Sequence, residues 1–166
     1  MRLALYEPDI PQNAGTMMRM AACFGVGVDL IEPCGFAVSD RRMRRAGMDY
    51  LDHLDLTVHD SYTAFCRSRR PGRVILLTTQ APLTYDQVAY RASDTLMVGR
   101  ESAGVPDAVH RAADIRVRIA MRRAPSLRSL NVATAAAVVL GEALRQTGGY
   151  AALAPDDAMP AISGET

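Results

Sequence analysis

The run Val74 to Thr79, V-I-L-L-T-T, is a β-branched, apolar stretch with no polar alternation until its end. A strand of that kind fits only where both faces of a sheet are covered, which is the setting of parallel sheets. Thr95 to Val98 and Ile115 to Ile119 read the same way. Arg2 to Tyr6 and Val28 to Glu32 add two more strands, the second stopped by Pro33. Between them the apolar spacing turns helical at Asn13 to Cys23, Asp40 to Ala46, Ser61 to Arg69 and Pro106 to Ala113. Asp60 or Ser61 is expected to cap the third of these. A long Ala/Val/Leu helix is expected from Ser129 to Gln146, ended by Gly148 and Gly149. The alternation predicts an α/β fold: a mostly parallel open sheet with helices on both faces.

The chain has 166 residues, the size of one ordinary domain. A single domain over residues 1–150 is expected, with Ala151 to Thr166, rich in Ala, Pro, Asp and Gly, as a flexible tail. Hydrophobic residues at 49% and charged residues at 22% exclude a disordered chain or a collagen-like repeat. No stretch approaches the roughly 18 uninterrupted apolar residues of a membrane span, and Glu7 and Pro8 come too early for a secretory leader. Cys23, Cys34 and Cys66 have no metal-like spacing, so reduced thiols, a cytoplasmic setting and no metal are expected.

All 19 basic residues are arginine. Asp156, Asp157 and Glu165 lie in the tail, so the body sets 19 arginines against 15 acids, a net of +4. The arginines cluster at Arg41, Arg42, Arg44 and Arg45, at Arg67, Arg69, Arg70 and Arg73, and at Arg116, Arg118, Arg122, Arg123 and Arg128. Guanidinium groups match phosphate oxygens and stack on bases, which fits a nucleic-acid partner. Arginine-favouring codons and solvated faces account for the charge equally well.

In an open parallel sheet, ligands bind beyond the carboxyl ends of the strands. Three loops leave such ends with unusual composition: Thr78-Thr79-Gln80, Gly99 to Pro106, and Ile119 to Asn131. The loop after the first strand adds E-P-x-I-P-x-N-x-G-x-x-x-R, in which Asn13 is placed to cap a helix and Arg19 lies one turn past Gly15. A capped helix with one solvated arginine is the simpler reading of that spacing. No G-x-G-x-x-G follows a strand, and without lysine there is no G-x-x-x-x-G-K-[ST], which disfavours dehydrogenases and P-loop enzymes. His53, His59 and His110 flank no nucleophile elbow and read as surface or loop residues.

Taken together, Pro11-x-Asn13-x-Gly15-x-x-x-Arg19, Gly99-x-Glu101-x-x-Gly104-x-Pro106, and Ile119-x-Met121 with Ser129-Leu130-Asn131 resemble the three motifs of the SPOUT RNA 2′-O-methyltransferases. The likeness runs from about Arg2 to Gln146. It is greatest to the short enzymes that methylate the wobble ribose (cytidine or uridine 34) of tRNA, which share the I-E-P-x-G-F stretch of Ile31 to Phe36 and the R-R-A-G-x-D-Y stretch of Arg44 to Tyr50. Arg100 departs from that branch, which often has proline there.

The resemblance implies a C-terminal deep trefoil knot, otherwise rare in proteins, a homodimer, tRNA as partner and S-adenosyl-L-methionine as cofactor. It implies cofactor contacts at Leu77, Thr78, Gly99, Glu101, Gly104, Ile119, Met121, Ser129 and Leu130. Arg19, Asn13, Glu101, Ser129 and Asn131 would be the catalytic set, with Arg19 as base or as phosphate anchor. Arg19, Arg41, Arg42, Arg44, Arg45, Arg122, Arg123 and Arg128 would grip RNA. A methyltransferase acting on ribosomal RNA or elsewhere on tRNA is the alternative inside the fold. A noncatalytic RNA-binding module that keeps the knot is the alternative from another functional class, and a small-molecule nucleotide enzyme on an ordinary doubly wound sheet is the third.

Overall fold

The computed structural model describes residues 1–36, 50, 53–122, 124 and 129–153. Its elements are β1 (Arg2–Tyr6), α1 (Pro11–Cys23), β2 (Gly27–Ile31), β3 (Leu56–His59), α2 (Tyr62–Ser68), β4 (Val74–Leu77), β5 (Leu83–Thr84), β6 (Thr95–Val98), α3 (Asp107–Ala112), β7 (Ile115–Arg118) and α4 (Val132–Thr147). Seven strands form one sheet in the order β3-β2-β1-β6-β4-β7-β5, and every pairing is parallel. Among the described residues no helix is long and apolar enough to cross a membrane.

Alternating side chains divide between two cores, as strand geometry demands. Leu3, Leu5, Val28, Leu30, Ile75, Leu96 and Val98 pack with α1 and α4 on one face. Ala4, Tyr6, Val74, Leu76 and Met97 pack with Phe65 of α2 and Val109 of α3 on the other. Helices therefore cover both faces, and the central strands are buried end to end, as their unbroken apolar runs predict.

Local signals set the helix ends. Pro11 occupies the first turn of α1, where its missing N–H costs nothing. Ser61 caps α2 by accepting from Ala64 N. Gly148, at φ 68°, ends α4 in the left-handed conformation that glycine adopts without strain.

Four expectations need correction. Asn13 does not cap α1; the residue before the helix is Ile10, which has no side chain able to cap, and Asn13 lies inside the first turn. The last helix begins at Val132 rather than Ser129, because Asn131 takes the cap position and accepts from Ala133 N at 2.9 Å and Thr134 N at 3.2 Å. Leu56–His59 and Leu83–Thr84 are strands that sequence periodicity overlooks; both are short edge strands, where the apolar signal is weakest. His59 is no surface residue: it is buried in β3, with Nε2 2.9 Å from Asp29 Oδ1. Asp29 also accepts from Arg2 Nε at 2.7 Å, and Arg2 Nη1 reaches Asp55 Oδ2 at 2.6 Å. This buried charge cluster ties β1, β2 and β3 together at the sheet edge away from the cleft described below.

The expected helix Asp40 to Ala46 and most of the Arg44 to Tyr50 stretch lie outside the described residues. So does the expected tail beyond Leu153; Ala151–Leu153 forms a short 3-10 turn.

Candidate active site

Leu77 is in register with Val98 and with Val117, so β4 and β6 end level and β7 runs one residue further. The loops that leave these ends, together with the start of α1 and of α4, enclose a cleft of about 810 Å³. That volume suits a ligand of cofactor size. Val98, Val117, Leu77 and Ile119 are among its apolar lining residues.

Gly99 to Gly104 is a tight loop closed by two backbone bonds, Arg100 N to Gly104 O at 3.1 Å and Gly104 N to Arg100 O at 2.8 Å. A Cβ on Gly99 would lie 2.6 Å from the Gly104 carbonyl carbon, so only glycine permits this approach. Gly104 has φ 68°, again a glycine conformation. The two glycines thus let a ligand approach the loop backbone closely.

A chain of hydrogen bonds through side-chain amides links residues that line the cleft. The N-terminal amides of α4 donate to Asn131 Oδ1, which leaves its Nδ2 to donate to Asn13 Oδ1 at 3.0 Å. Asn13 Nδ2 in turn donates to Glu101 Oε1 at 2.9 Å, and Glu101 Oε2 accepts from Asp9 N at 3.1 Å. Because each amide has its oxygen committed, the donor direction along the chain is fixed from α4 to Glu101. Burial, and next the neighbouring Asp9 carboxyl, raise the pKa of Glu101. Asp9 itself is lowered to about 2, first by its contact with Glu101 and then by the Ser102 hydroxyl and the backbone N–H groups of 101 and 102. Arg100, the departure from the wobble branch, pairs with Glu7, and its Nε is buried without a partner among the described residues.

All nine residues expected to contact a cofactor (Leu77, Thr78, Gly99, Glu101, Gly104, Ile119, Met121, Ser129 and Leu130) line this one cleft. Asn13 and Asn131 join them. Glu101 bonds to Asp9 and Asn13.

Arg19 stands apart. It is six residues, about 9 Å, along α1 from Asn13 and projects from a different side of the helix. It is exposed, with its guanidinium 4.6 Å above the Tyr50 ring and Nη2 donating to Tyr50 Oη at 3.1 Å. Arg122 is exposed just beyond the cleft, one residue past Met121. Arg41, Arg42, Arg44, Arg45, Arg123 and Arg128 lie outside the described residues. The site residue that sequence reasoning missed is Asp9, whose partner is 92 positions away; its only local signal is its place in the E-P-D-I-P corner.

The profile of the SpoU rRNA Methylase family matches residues 1–141. A tRNA (cytidine(34)-2'-O)-methyltransferase of Beijerinckia indica subsp. indica is 58% identical over 151 residues, spanning 90% of this chain and 93% of its own. The enzyme of the same name from Escherichia coli K12 is 39% identical over 148 residues, 89% of this chain and 94% of its own. A solved structure described as "Structural insights into the 2-OH methylation of C/U34 on tRNA" superposes with a TM-score of 0.82 at 40% identity, over 87% of this chain and 94% of that one. The SpoU methyltransferase AviRb of Streptomyces viridochromogenes, solved in complex with the cofactor AdoMet, superposes with a TM-score of 0.76 at 25% identity over 88% of this chain and 60% of that one. On the match over residues 1–141 and the identity of its full-length relatives, the chain belongs to the SpoU rRNA methylase family, an enzyme family of methyltransferases.

Proposed function

We propose that this enzyme methylates the ribose 2′-oxygen of the wobble nucleotide of tRNA, cytidine or uridine 34, with S-adenosyl-L-methionine as methyl donor. The observation that carries the reading is the gathering of all nine expected cofactor-loop residues around one cleft at the ends of β4, β6 and β7. Its relatives named for the cytidine-34 reaction supply the choice of nucleotide.

The residues present fit such a cofactor. Leu77, Val98, Val117 and Ile119 offer the apolar contact an adenine ring needs, and the Gly99–Gly104 hairpin offers close backbone approach. S-adenosylmethionine supplies a methyl group on a positively charged sulfur. The chain itself contributes alignment. Its Asn131–Asn13–Glu101 series holds fixed donors and acceptors at the mouth of the cleft, where a ribose hydroxyl must be oriented. Arg19 is assigned an essential role toward the RNA. A guanidinium with a pKa above about 12 makes an awkward base, so anchoring a phosphate is the role it fills most naturally.

Because Arg19 does not line the cleft of its own chain, we place it at a dimer face. α1 and α4 pack side by side. They present Thr16, Arg19 and Cys23, and Ala137 and Val138, to the outside. A second copy seated there would cover the apolar residues and bring Arg19 toward a cleft. The trefoil knot, the cytoplasmic setting, the single domain over 1–150 with a tail to 166, and the phosphate contacts of Arg41, Arg42, Arg44, Arg45, Arg122, Arg123 and Arg128 belong to the same proposal. Incubation with methyl-labelled S-adenosylmethionine and bulk tRNA from a strain lacking the activity should label the tRNA, with a rate that falls as salt rises. No label on the tRNA from protein that binds the cofactor would overturn the tRNA assignment.

A further inference from the structure

The loop after β1 and the loop after β6 hold each other through a reciprocal pair of bonds. Asp9 N donates to Glu101 Oε2 at 3.1 Å, and Glu101 N donates to Asp9 Oδ1 at 3.2 Å. The Ser102 hydroxyl donates to the other Asp9 oxygen. The corner that carries Asp9 is itself held on two further sides. Glu7, which opens it at φ 43°, donates its N–H to Ile31 O at 2.9 Å. Gly35 donates its N–H to Pro8 O at 2.9 Å, and a Cβ on Gly35 would lie 2.8 Å from Asp9 Cα and 2.9 Å from Asp9 Cβ. The glycine of the I-E-P-x-G-F stretch therefore has a physical role, since it leaves the space in which Asp9 sits.

We propose that Asp9 is a positioning residue, seated on Gly35, that orients the Glu101 carboxyl group at the end of the Asn131–Asn13 amide chain and sets the pH at which that group becomes the chain's acceptor. The proposal deepens the methyl-transfer reading of the cleft and rests on it for its kinetic readout. Glu101 ends the chain as a pure acceptor only when ionised. A protonated Glu101 instead offers an O–H, and the nearest carboxyl to receive it is Asp9. Two facing carboxyl groups resist joint ionisation, so Asp9 sets the pH at which Glu101 becomes the acceptor.

The groups around Glu101 leave Asp9 as the charge that can do this. From α1 it meets Asn13, and through Asn13 the neutral Asn131 at the start of α4. Its neighbour Arg100 is paired with Glu7. Asp107 and His110 of α3 and Arg118 of β7 line the same cleft, and Arg118 Nε is engaged with Ala81 O at 3.0 Å.

The test is the titration of the Glu101 side-chain carboxyl, followed by carbon-13 NMR, in the wild type, Asp9→Asn and Gly35→Ala, alongside methyl transfer to tRNA as a function of pH. Asp9→Asn keeps an oxygen for Glu101 N and removes the facing charge. The Glu101 midpoint should fall by about one unit, the size of shift one close charge produces, and the acidic limb of the transfer rate should fall with it. Gly35→Ala leaves Asp9 intact but displaces it, and should move the midpoint in the same direction. An unchanged midpoint in both variants overturns the proposal, as does a rate that drops evenly at every pH with the limb in place. A midpoint that moves in protein that binds cofactor but transfers no methyl group upholds the positioning role and overturns the transfer reading instead.

Discussion

Gly99→Ala is the substitution that most directly probes the cleft. Its Cβ would stand 2.6 Å from the Gly104 carbonyl carbon and 2.8 Å from the oxygen. Ordinary contact begins at 3.4 Å, so the hairpin must open by about 0.8 Å. The obstacle is backbone, and no side-chain rotation relieves it. Opening the hairpin sacrifices the two bonds between Arg100 and Gly104, at 3.1 and 2.8 Å. At about 0.5–1.5 kcal/mol each, the loss is about 1–3 kcal/mol. Spent against binding, that weakens cofactor affinity by about 5- to 150-fold. Calorimetric titration with S-adenosylhomocysteine measures it, and a thermal melt separates loss of affinity from loss of fold. A variant that melts as the wild type does and binds within about twofold of it, less than the smallest loss one hydrogen bond predicts, would refute the placement of the cofactor against this loop.

Arg19→Ala should abolish methyl transfer while leaving S-adenosylhomocysteine affinity near the wild-type value, since Arg19 lies outside the cleft; retained turnover removes it from the mechanism. Asp29→Ala removes the buried carboxylate that Arg2 meets at 2.7 Å, with side-chain exposures of 6% and 4%, and leaves Arg2 its contact with the half-exposed Asp55 at 2.6 Å. It should cost about 1.5–3 kcal/mol of stability by urea unfolding, the usual loss for a hydrogen bond to a charged group, because Asp55 still compensates the Arg2 charge, with a loss under about 1 kcal/mol marking the cluster as solvated. Asp9 is lowered from 3.8 to about 2 in the folded chain. Its contribution to stability is therefore present above the ordinary carboxylate range and lost as pH falls from about 3.8 through about 2. Asp9→Asn should flatten that part of the stability profile.

What the sequence made legible was local. Strand identity followed from the apolar runs at Val74, Thr95 and Ile115, and loop identity from glycines whose conformations the structure shows to be required, such as Gly99 and Gly104. Because ligand sites in parallel sheets sit at strand ends, those two signals together located the cleft. What stayed hidden depends on distant partners. Asn13 reads as a helix cap until Glu101 and Asn131, 88 and 118 positions away, claim its amide. His59 reads as a loop residue until Asp29, 30 positions back, makes a buried place for it. The strand order, which inserts β6 between β1 and β4, is likewise a long-range property that no window of sequence contains.

The proposed reaction modifies one oxygen atom on one nucleotide. Transfer RNA from a strain lacking the activity, treated with this protein and S-adenosylmethionine, can be digested and mapped by mass spectrometry. A single added methyl group on the ribose of nucleotide 34 is the expected result. A methyl group on a base, or on the ribose of any other nucleotide, would contradict it.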